Sequence, residues 1–431
     1  MIQALLANFI NGKISRRELS HRLLGMGFGM ATVESILDNV TPAHAQEAES
    51  FRAEPFSAQT PYEQWTSKEG IPVYTGYAIP NVRSLELKPW ARLGANAAII
   101  DLTGSEGTDG AFLFQLQPNA ETKPQRYMFE ESIFILDGEG ETTVWQQGGP
   151  KQSFRWKKGA MFSPPLNVWR QHVNRGPQPV KLISFHDMPL MMDVMHNANF
   201  LFNNPFVFGD RYDGQKDYFN FDNSKLRPEG TAAMFAKGEE GAGRIADTGL
   251  IPDVNALELR TAKSRGLHNK GIEMVFSGNT MQTHISEFAT GSYKRAHRHG
   301  PGSQILILGG QGYSLMWTDL PHYSEAPKHT RIDWKEGAMF VPPDRWFHQH
   351  FNGGADPAKY MATTWIGGKY FAKSLGGGGR THRMNNVSIR QGGNMVDYPD
   401  EDPIVRSMFV EELKKHGLKL QMENTTEGGD H

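Results

Sequence analysis

The 431-residue chain contains no cysteine, which removes disulfides, thiolate metal sites, iron–sulfur clusters and cysteine nucleophiles together. Any metal is left to His, carboxylate or amide donors. Net charge is nearly absent as well: 45 Lys+Arg against 47 Asp+Glu leave −2, too small an imbalance for a protein whose main partner is nucleic acid. No apolar run approaches the ~18 residues that a bilayer-crossing helix needs, so no integral membrane segment is expected. Against these absences, 46 Gly and 25 Pro punctuate the chain, and 38% hydrophobic with 11% aromatic residues exclude a disordered polar polymer.

Self-similarity organises the middle of the chain. The stretch opening Ile79-Pro80-Asn81-Val82 recurs 172 residues later from Ile251-Pro252-Asp253-Val254, and Trp156-Lys157-Lys158-Gly159-Ala160-Met161-Phe162 recurs 178 residues later as Trp334-Lys335-Glu336-Gly337-Ala338-Met339-Phe340. Gly138-Glu139-Gly140 and Trp145 return as Gly310-Gln311-Gly312 and Trp317 at the first offset. The copies run over 75–190 and 247–368. Within them, short apolar runs such as 133–136, 180–185, 305–308 and 360–365 alternate with Gly and Pro, the pattern of an all-β sandwich or barrel. Segment 191–246 reads as a linker with some helix, and 369–431 as an extension with a helix over 403–415.

The second copy carries His297-Arg298-His299 and, further on, Trp346-Phe347-His348-Gln349-His350-Phe351-Asn352. Strand residues i and i+2 share a face, so His297 and His299 project together into a barrel interior and His348 supplies a third imidazole from across it. Three imidazoles in a dry barrel make a site for a first-row divalent ion with positions left open. His350 and Asn352 share the face of His348 and are candidates to orient a ligand or substrate oxygen. Gln304 is a candidate donor to bound oxygen, and Arg345 a candidate carboxylate partner through its planar fork. Each has a plainer reading: backbone partners at a strand end for His350 and Asn352, an outward-facing amide for Gln304, a solvated turn for Arg345. In the first copy Gln125 and Tyr127 align with His297 and His299, and Arg170 with His348, leaving only Glu131 of a ligand set. A cation at position 170 repels a divalent ion, so this half is expected to hold no metal.

These histidines, set between Gly291 and Gly310 and closed by Pro343 to Asn352, resemble the two motifs of the cupin superfamily, and the duplication makes the chain resemble a bicupin. The implied fold is all-β: two tandem cupin (double-stranded β-helix, jelly-roll) barrels with a helical N-terminal arm and linker segments. The family motif has a Glu where Ser303 stands, or Gln304 with a longer gap, and a Gly where Arg345 stands; either way the carboxylate is missing. Ala296 to His299, the Gly310-Gln311-Gly312-Tyr313 turn and the Trp-x-His-x-His-x-Asn ending are similar to the gentisate 1,2-dioxygenase group. That resemblance implies non-haem Fe(II), with Mn, Ni, Cu or Zn as the other candidates, and oxidative ring opening of a hydroxylated aromatic acid. The implied partners are a small anionic chelating substrate and dioxygen, in a homo-oligomer. The chain departs from that group in carrying its histidines in the C-terminal copy. Two readings compete: a redox-neutral cupin enzyme (decarboxylase, isomerase or amidohydrolase with Mn, Ni or Zn) and a non-catalytic exported ligand-binding bicupin.

Ahead of the copies, Ser15-Arg16-Arg17-Glu18-Leu19, an uncharged and mostly apolar stretch over 23–33, and Ala43-His44-Ala45 follow the order of a twin-arginine export signal. Residues 1–45 are therefore expected to direct export to the periplasm. The alternative is a helical arm on a cytoplasmic protein, and Glu34 and Asp38 are charges that such signals normally lack.

Overall fold

The computed structural model describes residues 2, 5–6, 16–33, 51–228, 243–365 and 387–422, apart from positions 52, 55–56, 106, 247, 263–264, 277–278 and 301. Its architecture is two tandem β-barrels, each a larger sheet facing a smaller one. The larger sheet of the first runs through Ala95–Ile100, Gly110–Leu116, Val180–His186, Glu131–Asp137 and Met161–Phe162, and faces the smaller sheet Trp169–Asn174, Glu139–Trp145, Gln152–Lys157. The second repeats the order with Asn269–Phe276, Met281–Phe288, Ala358–Trp365, Gln304–Gly309 and Met339–Phe340, facing His329–Lys335, Gln311–Trp317 and Phe347–Phe351.

Side-chain alternation explains which strands face water. Gln152–Lys157 alternates between buried and accessible positions, as a sheet with one solvated face requires. Glu131–Asp137 and Val180–His186 are buried along nearly their whole length, because both faces are covered. Ile133, Ile135, Val180 and Leu182 line the first barrel. Phe134, Leu136 and Ile183, at the alternate positions, join Ile285, Leu306, Met339 and Met361 of the second barrel in one shared core.

The barrels also exchange strands. Ala78–Ile79, from the first copy, pairs with Met339–Phe340 of the second barrel, and Leu250–Ile251, from the second copy, pairs with Met161–Phe162 of the first. Val82 N–H donates to Gly337 O at 2.8 Å and Val254 N–H to Gly159 O at 2.9 Å. The repeated Ile-Pro stretch is thus the strand that each copy lends to the other.

Part of the expected linker serves as core. Leu201 and Phe202 of the helix Ala198–Asn203 are buried in the first barrel, Phe202 stacking on Trp65 with centroids 5.6 Å apart. The C-terminal helix Pro403–Lys415 starts at Asp402, whose side chain accepts from Ile404 N–H, carries a proline in its first turn and ends in lysines, the expected start and stop chemistry. Its Val405, Phe409 and Leu413 pack on Tyr293, Tyr313 and Phe351, the back of the sheet that carries the histidines. Near the N-terminus, the helix Arg16–Gly25 buries Leu19 and Leu23 with Leu5 and Val33; Ala43-His44-Ala45 lies outside the described residues. Among the described residues no helix is long and apolar enough to cross a membrane.

Candidate metal centre

His297 is fixed by backbone on two sides. Its N–H donates to His348 O at 3.1 Å and its carbonyl accepts from His348 N–H at 2.9 Å, while Ala296 O takes Val396 N–H at 2.8 Å and Asn394 O takes Arg298 N–H at 3.0 Å. The C-terminal extension thereby closes the outer edge of the ligand-bearing segment. His299 is fixed in turn by Arg345, whose N–H donates to its carbonyl at 2.9 Å.

One ring nitrogen from each of His297, His299 and His348 lies within 4.8 Å of the other two. Nδ1 of His297 is 3.2 Å from Arg295 O and Nδ1 of His348 is 3.2 Å from Trp346 O. A ring that donates Nδ1–H to a carbonyl presents the Nε2 lone pair inward. Burial holds His297 well below the ordinary imidazole range and His348 at about 4, with the positive charge of Arg265 acting on both. His297 and His348 are therefore unprotonated at neutral pH, the state that a divalent cation requires. Three borderline nitrogen donors fit a first-row divalent ion, and Ser303 stands where a carboxylate would complete the set.

The other expected site residues lie elsewhere in function or in space. His350 Nδ1 is 2.7 Å from Ser314 Oγ, which accepts from Trp334 Nε1 at 2.9 Å; in the first barrel His172 Nδ1 is 2.8 Å from Thr142 Oγ1, which accepts from Trp156 Nε1 at 2.8 Å. Asn352 Nδ2 donates to Phe288 O and Asp356 O and its Oδ1 accepts from Gly354 N–H, and Asn174 does the same with Leu116, Gln178 and Gly176. A barrel without the imidazoles makes the same bonds, so these bonds of His350 and Asn352 belong to the shared scaffold.

Gln304 shares its strand face with Leu306, which sits in the core between the barrels, and neither atom of its buried amide has a hydrogen-bond partner; it is turned away from the imidazoles. The Arg345 side chain is 67% exposed beside Asp344 and does not reach into the barrel. Its φ of 60° is the left-handed conformation that favours glycine. Its aligned residue Asn167 has φ 57° and donates its N–H to Tyr127 O.

In the first barrel Gln125 and Arg170 exchange the two backbone bonds that His297 and His348 exchange in the second. Arg170 Nη2 lies 2.5 Å from Glu131 Oε1, its guanidinium is 3.6 Å from the Tyr127 ring centre, and Ser184 Oγ donates to Glu131 Oε2 at 2.7 Å. A guanidinium with its own carboxylate fills the space that the imidazoles enclose in the other copy.

No protein-family model and no curated protein matches the chain. Among solved structures it is similar to oxalate decarboxylase from Lactobacillus farciminis in a formate complex (14% identity, 72% of this chain and 96% of that chain, TM-score 0.44). It is also similar to vicilin from hazelnut, Corylus avellana (12%, 67% and 85%, TM-score 0.42), and to oxalate decarboxylase from Bacillus subtilis at pH 4.6 (12%, 67% and 76%, TM-score 0.43).

Sequence reasoning missed Lys294, Ser286, Tyr360 and Arg265. The Lys294 amine is buried and donates to Ser286 Oγ at 2.5 Å and to Tyr360 Oη at 2.7 Å. The signal that would have found the first three is the internal repeat: they align with Thr122, Phe114 and Leu182, so this polar trio is absent from the first barrel.

Proposed function

We propose that the chain is a metal-dependent enzyme whose second barrel holds a first-row divalent ion on His297, His299 and His348 and converts a small anionic compound that chelates it. The observation that carries this reading is the contrast between the copies at three aligned positions. One barrel has imidazoles converging on a point; the other has an amide, a phenol and an ion-paired guanidinium. When bound, the ion supplies Lewis-acid polarisation of ligand oxygens or, as iron, access to oxidative chemistry. The chain contributes geometry: His297 and His348 keep Nε2 inward through their Nδ1 bonds. Three neutral donors leave the charge of the ion uncompensated, which favours an anion.

Redox-neutral chemistry with Mn, Ni or Zn, of the decarboxylase, isomerase or amidohydrolase kind, has the better support. The groups peculiar to this barrel, Lys294 Nζ and Tyr360 Oη, bear exchangeable protons and no redox function. The ending that resembles the ring-cleaving dioxygenases includes His350 and Asn352, whose bonds recur in the first barrel. The Fe(II) dioxygenase reading, with a hydroxylated aromatic acid and dioxygen, is favoured by the small number of protein donors, which leaves room for a second small molecule beside a chelating acid.

The test is metal content by mass spectrometry on untagged protein, then turnover of hydroxybenzoates and short dicarboxylates with and without air. Anaerobic turnover with Mn, Ni or Zn supports the first chemistry, and oxygen uptake with iron the second. Protein that takes up no divalent ion overturns both. From the paired arginines we also infer a periplasmic site of action, checked by cell fractionation.

A further inference from the structure

Lys294 precedes His297 by three residues on the same segment. Inside the barrel its amine is bonded to two hydroxyls and lies 4.4 Å from the Tyr360 ring centre and 5.2 Å from that of Phe288. Among the described residues no carboxylate comes within ion-pair distance of it. A buried ammonium without a counter-charge is costly, and the first barrel folds with Thr122, Phe114 and Leu182 at the three aligned places. The fold therefore has no need of this cation.

Arg265, on the loop before the strand Asn269–Phe276, adds positive charge to the same interior: its field acts on His297, His348, His350 and Lys294. Glu273, on that strand, accepts from Gln282 Nε2 at 2.9 Å, and its charge reaches Tyr360. An ammonium has three donors, of which two are engaged with Ser286 and Tyr360. Burial and the charge of Arg265 lower the Lys294 amine well below its ordinary range, so a carboxylate seated beside it would meet a free N–H and return the amine to its charged form.

We propose that Lys294, held by Ser286 and Tyr360, is the carboxylate-recognising residue of the second barrel. It receives the carboxylate of a small hydroxy acid whose remaining oxygens face the imidazoles. The role expected of Arg345 passes to a residue inside the barrel. The inference rests on the metal reading above, but the amine belongs to the chain with or without an ion, and this separates the two tests.

Full-length protein, both metal-loaded and chelator-stripped, is titrated calorimetrically with salicylate and with catechol, an aromatic chelator that is uncharged at neutral pH. Two variants remove the charge: Lys294→Thr, which copies Thr122, and Lys294→Met, which preserves length, so that one folded variant suffices. Salicylate affinity is expected to fall at least about tenfold in either variant, as when one member of a buried charge pair is lost, with metal content and catechol binding to the loaded protein unchanged.

Equal salicylate affinity in wild type and variants overturns the proposal. An equal loss of catechol binding also overturns it, since that marks a merely structural lysine. Lys294-dependent salicylate binding in a protein that takes up no metal sinks the metal reading and keeps the subsite; metal uptake without such binding does the reverse.

Discussion

At position 348 the chain offers a neutral nitrogen, and at the aligned position 170 a permanent charge that brings its own carboxylate, Glu131, 2.5 Å away. The first arrangement needs a cation to use its lone pairs, and the second satisfies itself. His348→Ala is therefore expected to abolish bound metal, read by mass spectrometry, with the far-UV circular dichroism unchanged. Asn352→Ala is expected to do the opposite: metal retained, and stability lowered by about 1–3 kcal/mol from stranded backbone partners, measured by urea unfolding. The spacing of the three imidazoles was legible, but the strand expected for two of them is not there: His348 lies in a strand, His297 only bridges to it, and His299 follows outside any strand. The roles given to Gln304 and Arg345 failed on orientation: strand register turns the first toward the core between the barrels, and a left-handed backbone sends the second into solvent. Lys294 lies outside the motif, and its importance emerges only when the copies are superposed.

Among the elements, the end of the strand Ala358–Trp365 meets Asp109, the residue before the strand Gly110–Leu116 of the other barrel. Asp109 accepts from Thr364 Oγ1 at 3.0 Å and from Trp365 N–H at 2.8 Å, and burial pushes its carboxyl up to about 8. Because the folded value lies above the unfolded one, the folded state holds a proton that the unfolded chain releases. The stability from this group is full below about pH 4 and is lost as pH rises toward 8, at about 1.4 kcal/mol per pH unit. Asp109→Asn removes the dependence, so the variant is expected to gain stability relative to wild type between pH 5 and pH 8, measured by urea unfolding at both. His172 and His186, which burial lowers to about 3, act with the opposite sign but are common to both proteins and cancel in the difference. Strand positions were readable from the apolar runs; this contact was not, because it joins residues 255 apart in the chain.

For the whole molecule, the exchange of Ala78–Ile79 and Leu250–Ile251 and the shared core make the barrels mutually dependent. Calorimetric melting is expected to show a single transition spanning both, and a fragment covering 75–190 alone is expected not to fold, because it lacks the strand at its Met161–Phe162 edge and exposes Phe134, Leu136 and Ile183. Two separated transitions, or a folded fragment, would refute this. The repeat itself announced two similar units; it gave no hint that each is incomplete, since a two-residue pairing leaves no periodic trace.

The reciprocal loan also bears on assembly. A single unit with the same lending strand would leave the edge of its barrel to be covered by the strand of a second identical chain. Joining two such units end to end makes that pairing independent of concentration, and it lets each interior change its side chains separately, as the contrast between Arg170 and the imidazoles shows.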